Sequence, residues 1–84
     1  MKENEDKQVI IDQKVSNYIG NRIKWLKDEK YKNNVINRIN AINECMMLIS
    51  TTDIVSPECY KLLESDFNSE KKSVEKRFSF DSPN

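Results

Sequence analysis

Eighty-four residues, 33% of them charged and one of them glycine, make a single domain built from helices rather than tight turns. Acids and bases balance at fourteen each and histidine is absent, which excludes a strong overall attraction to polyanions and removes the usual general base near neutral pH. A chain this short buries only about 60% of its unfolded surface, so a core drawn from 37% apolar residues leaves a narrow margin of stability.

Residues 1–10 carry mixed charges without periodicity and read as a flexible arm. They lack the apolar centre of a signal peptide. No run approaches the roughly 20 apolar residues that span a bilayer. The expectation is a cytoplasmic chain with no membrane partner, in which Cys45 and Cys59 stay reduced. Val9-Ile10-Ile11 is a short apolar patch that either docks on the domain or extends its first helix.

The first helix is expected over residues 11–31, with Val15, Ile19, Ile23 and Leu26 on one face and Trp25 at the edge of that face. Asp12 or Ser16 is the candidate cap of its start. Gly20 costs about 1 kcal/mol relative to Ala inside a helix, a cost most easily carried where a neighbouring helix crosses closely. The second helix is expected over residues 34–50, with Asn33 ending the first in the left-handed conformation and Asn34 capping the second. Its stripe is Val35, Ile39, Ile42, Met46 and Ile49. Carried through at roughly 100° per residue, this stripe lies about half a turn from the first. Either the chain breaks and folds back near Asn33-Asn34, or one long helix serves two partners on opposite faces. The run Cys45-Met46-Met47-Leu48-Ile49 is apolar nearly all round and needs covering.

Ser56-Pro57-Glu58 is the strongest boundary in the chain: a serine cap, a proline at the first helical position and an acid at the positive helix start. The third helix is expected over residues 57–78, presenting Tyr60, Leu63, Phe67, Val74 and Phe78. Lys71 stands where the stripe would next fall, and Asn68-Ser69 is a candidate bend or stop. Residues 79–84 read as a flexible tail. The fold expected is all-α, a small three-helix bundle over residues 11–78. The alternative is a long helical hairpin, its first two helices fused, that dimerises or oligomerises.

Charge is unevenly placed. Residues 14–38 hold seven bases and two acids, a balance of +5, and residues 39–70 hold one base and six acids, a balance of −5. Such halves orient helices against each other in a bundle.

No residue pattern nominates catalysis. Without histidine, neither a serine nor a cysteine has the usual partner, and two thiols do not close a zinc site. One glycine cannot build a phosphate-cradling loop. No catalytic, cofactor or metal residues are therefore expected. Cys45 and Cys59 flank the second loop and read as small apolar side chains, with a redox pair as the sharper alternative. The candidate interaction residues are Arg22, Lys24, Trp25, Lys27, Lys30, Tyr31 and Lys32, which combine cations with aromatics, and Met47 and Leu48, which lie off the main stripe. The size and composition resemble those of many small phage or bacterial regulators. The expectation is a non-catalytic protein–protein interaction module, an inhibitor or adaptor acting stoichiometrically on a larger target, with homo-oligomerisation open. The alternatives are a nucleic-acid-binding regulator working through the basic first half, and a protein that binds a small anionic ligand such as a nucleotide.

Overall fold

The computed structural model describes residues 2–78, which form three helices: α1 (Lys2–Asp28), α2 (Lys32–Thr52) and α3 (Pro57–Phe78). α1 and α2 are separate, so the displaced stripe reflects a chain that folds back. The break is made by one carboxylate. Oε2 of Glu29 accepts hydrogen bonds from the backbone N–H groups of Lys30 at 3.1 Å and Tyr31 at 3.4 Å, and from the Asn34 side-chain amide at 3.3 Å. A negative charge is favourable beside the free N–H groups of a helix start. Tyr31 stands at the cap position in an extended conformation, φ −111° and ψ 127°, with no side-chain cap bond. Asn33 and Asn34 therefore lie inside the first turn of α2, and neither takes the end or cap role that their residue types suggest. Among the described residues the positive-φ position is Asp53, at φ 52°, where α2 ends. A short polar side chain makes that backbone accessible to a residue other than glycine.

The boundary at Ser56 forms as its sequence implies. Its hydroxyl oxygen accepts a hydrogen bond from the Cys59 N–H at 3.2 Å, Pro57 opens α3, and Glu58 lies in the first turn. This capping serine is itself held by α1. Asp12 accepts from the Ser56 N–H at 2.9 Å and from the Ser56 hydroxyl at 2.6 Å. The Gln8 side-chain amide bridges Asp12, at 2.8 Å, and the Ile54 carbonyl, at 3.1 Å. Asp12 thus closes the start of α3 and not the start of its own helix. Ser16 lies 3.1 Å from the Cys59 sulfur and caps nothing. α1 begins at Lys2, nine residues before the start that periodicity gives, because residues 8–12 are engaged by the α2–α3 loop and carry the helix past it. Residues 2–10 are therefore helical where composition reads a flexible arm. The tail at residues 79–84 lies outside the described residues.

The opposite end of α1 is closed by Arg77, from the last turn of α3. Its guanidinium donates to the carbonyls of Leu26, Lys27 and Glu29, each at 2.9 Å. Carbonyls at a helix end lack the usual intrahelical partner, and here the Leu26 carbonyl also accepts from the Glu29 N–H at 3.4 Å. The Asp12–Ser56 tie at one end and the Arg77 tie at the other make α1 and α3 parallel, with α2 running between them in the reverse direction. The assembly is a rod of 55 × 20 × 16 Å. α1 alone accounts for about 40 Å at 1.5 Å per residue.

The core is one cluster: Ile19, Ile23 and Leu26 from α1, Val35, Ile42, Met46 and Ile49 from α2, Val55 from the loop, and Cys59, Leu63, Phe67 and Val74 from α3. α3 runs unbroken through Asn68-Ser69, so no bend or stop occurs there. Lys71 sits half-buried with its ammonium 5.0 Å from the centre of the Phe67 ring, which is how the stripe tolerates a charge. Gly20 is not a crossing point. A Cβ built there meets nothing within 4 Å. Among the described residues no helix is long and apolar enough to cross a membrane.

Candidate interaction face

α1 carries a second stripe besides the one that faces the core. Ile11, Val15, Tyr18, Arg22 and Trp25 recur at intervals of four and three, so they share one side of the helix. That side flanks the seam with α2. There an open groove of about 450 Å³ is lined by Lys14, Val15, Tyr18 and Ile19 of α1, by Cys45, Leu48, Ile49 and Thr52 of α2, and by Ile54. Its floor is core: Ile19 and Ile49 are buried. Its walls are uncovered, with Tyr18 55%, Leu48 63% and Ile54 45% exposed. Two of its three polar side chains are already engaged. The Thr52 hydroxyl donates to the Leu48 carbonyl at 2.7 Å, and the Tyr18 hydroxyl accepts from Arg22 at 2.6 Å. Lys14 contributes the one charge of the lining.

The groove continues into a ladder of rings and guanidinium groups. The Arg22 guanidinium lies 4.2 Å from the centre of the Tyr18 ring and 5.5 Å from that of Trp25, and the Arg38 guanidinium lies 5.6 Å from that of Trp25. Trp25 is 47% exposed, so it is a surface ring in reach of two cations and not a core residue. Arg38 is fixed by a 2.7 Å ion pair with Glu29. Together with Asp28 these residues line a shallow cleft of about 270 Å³. The Arg38 hydrogen bond lowers the Glu29 pKa from 4.5 to about 2; it outweighs burial, which acts the other way, and the bonds from Asn34, Tyr31 and Lys30 add to it. At Asp12 burial raises the pKa, but the two hydrogen bonds from Ser56 and the one from Gln8 prevail and hold the carboxyl below its ordinary value.

The structure divides the residues that the sequence groups together. Arg22 and Trp25 stand on the α1–α2 face. Lys24 and Lys27 point to the other flank of α1, where they line a cleft with Asp66 and Glu70 of α3, and the Lys27 ammonium lies 4.0 Å from Glu70. Lys30, Tyr31 and Lys32 are exposed at the α1–α2 turn. Leu48 lines the groove, whereas Met47, 69% exposed, lies outside it. The two thiols belong to different seams. Cys45 lines the α1–α2 groove, and Cys59 is buried against Ser16 and Asp12 of α1; both are free. Lys14, Tyr18, Arg38 and Ile54 complete the face without having been nominated. The spacing of Tyr18 with Arg22 and Trp25 signals one of them. Nothing local signals Arg38 or Ile54, which arrive by chain reversal.

A cleft of about 570 Å³ beside the α2–α3 loop is lined by Gln8, Ser56 and Tyr60 among others, and the polar groups of Gln8 and Ser56 there are already bonded to Asp12. Among the described residues no group of three or more Cys, Asp or Glu side chains gathers as a metal centre would. No known family model matches the chain, and no curated protein or solved structure matches it significantly. Class membership therefore rests on architecture alone: an all-α three-helix bundle.

Proposed function

We propose that this protein is a non-catalytic binding module that docks another protein on the α1–α2 face and acts on it stoichiometrically, as an inhibitor or adaptor. The observation that carries this reading is the groove itself. A bundle with a small core leaves Tyr18, Leu48 and Ile54 uncovered side by side over apolar floor residues. Contiguous apolar surface of this kind, rimmed by polar groups, is characteristic of protein interaction sites. The lack of catalytic function is argued from chemistry. The two carboxyl groups with distinct surroundings, Asp12 and Glu29, are both held anionic by structural hydrogen bonds and are poor proton acceptors at neutral pH. A protein partner is preferred over nucleic acid because Lys24 and Lys27 turn away from Arg22 and Trp25 toward acids of α3.

The test compares two exposed neighbours. Leu48→Glu puts a charge in the groove, and Met47→Glu puts the same charge beside it. Both variants are expected to keep the helix content and melting temperature of the parent. Proteins captured from source cells by the parent are expected to be retained by Met47→Glu and lost by Leu48→Glu. An unchanged captured set with Leu48→Glu overturns the assignment of this face.

A further inference from the structure

The occupant of the groove can be specified further, on the assumption that the α1–α2 face is the docking surface. We infer that it receives an amphipathic helix from a different protein, one whose apolar stripe is flanked by carboxylates. Shape comes first. Two antiparallel helices leave a straight channel between them, and the α1–α2 channel lies open to a further helix. A helix anchors in such a channel through side chains at i, i+3 or i+4, and i+7. Val15, Tyr18, Leu48 and Ile54 offer it apolar walls on both sides.

Charge selects among helices. The groove lining contains Lys14 and no carboxylate. Lys14 is exposed and forms no hydrogen bond or ion pair among the described residues. Arg22 follows about two turns further along α1, and its hydrogen bond to the Tyr18 hydroxyl leaves its charge uncompensated. Carboxylates along the flanks of an incoming helix would meet both cations, whereas lysines there would be repelled.

The same charges disfavour a second copy of this chain. A two-fold contact through this face is isologous, so each copy would set Lys14 and Arg22 against the same groove of the other, whose lining offers no carboxylate to receive them. Helix α3 of a second copy, in which five acids are balanced by five bases, is no better a ligand. Among its exposed residues Leu62 is the large apolar one, and a single leucine makes no stripe. A polynucleotide would leave the apolar walls uncovered.

The experiment uses the whole chain and two designed helical peptides with the same leucine stripe, one with glutamates along its flanks and one with lysines. Trp25 is the sole tryptophan and stands at the end of this face, so its fluorescence reports binding directly. The glutamate peptide is expected to bind at least tenfold more tightly than the lysine peptide, with the preference shrinking as salt is raised. Lys14→Glu, at a side chain without a partner, is expected to cut that preference several-fold while leaving the melting temperature unchanged. Leu48→Glu is expected to abolish binding of both peptides. Equal binding of the two, or a preference for lysine, overturns the inference. So does retention on duplex or single-stranded DNA with no peptide binding, or a dimer in sedimentation that Leu48→Glu dissolves. If Leu48→Glu releases the captured proteins and the peptides show no charge preference, docking on this face stands and the acidic helix falls. If capture is unaffected, the face itself falls.

Discussion

α1 has two flanks, and they are built differently. On the α3 side the contact is tied at both ends, by Asp12 on the cap of α3 and by Arg77 on the last carbonyls of α1. On the α2 side Glu29 and Arg38 fasten the turn, and beyond them the seam opens into the groove. The same helix is thus fixed along one edge and open along the other. On the proposed reading, stability and recognition fall to different side chains: residues that face α3 and the core hold the fold, and the exposed Tyr18, Leu48 and Ile54 are expected to change with little structural cost.

That contrast is sharpest for two leucines. Leu26→Ala, at a fully buried side chain, is expected to cost about 2–5 kcal/mol in urea unfolding, a large share of a small domain's stability. Leu48→Ala is expected to stay within about 0.5 kcal/mol of the parent, as surface changes do. A cost at Leu48 comparable to that at Leu26 would show that the groove is part of the core. Next in size, Ser56→Ala removes both the cap of α3 and a donor to Asp12, and a loss of about 1–2 kcal/mol is expected by thermal melting. If the α1–α3 tie is only decorative, the melting temperature will not move. Gly20→Ala acts in the opposite direction. The added methyl meets open space, so a gain of up to about 1 kcal/mol is expected, and destabilisation would reveal a contact on that flank.

The smallest effect is expected in acid, because an ion pair with one partner open to water is screened. The Glu29 carboxyl titrates near 2 in the fold and at 4.5 ordinarily, so its contribution is complete above 4.5 and is lost as pH falls toward 2. Asp12, also lowered, loses its contribution in the same direction. Glu29→Gln should flatten the acid limb of the melting curve against pH. A variant curve parallel to the parent's would remove Glu29 from the turn's energetics.

Much of the architecture was legible in the residue pattern. The two displaced stripes leave a fold-back or one long helix with two partners, and the structure takes the fold-back; Ser56-Pro57-Glu58 marks the start of α3 because cap, proline and acid act within one turn. Local chemistry misleads where a distant group supplies the missing partner. Asn33-Asn34 has the residue types of a helix junction, but Glu29 already provides the acceptor, so the junction falls earlier. Asp12 has the residue type of a helix cap, but its partner is Ser56, the residue that caps α3 and lies 44 residues later. The candidate face was half legible. Exposure of Met47 and Leu48 follows from their helical phase, and so does the alignment of Tyr18 with Trp25. That Leu48 shares a groove with Tyr18 while Met47 does not depends on how α2 is rotated against α1, which neither segment encodes alone.

The position of Arg77 bears on how the protein is made. α1 emerges from the ribosome early, yet the guanidinium that completes its far end lies 50 residues downstream of Lys27. The latch is drawn from the last turn of α3, so a chain cut just before Arg77 keeps nearly all of its helical residues and loses all three bonds to the far end of α1.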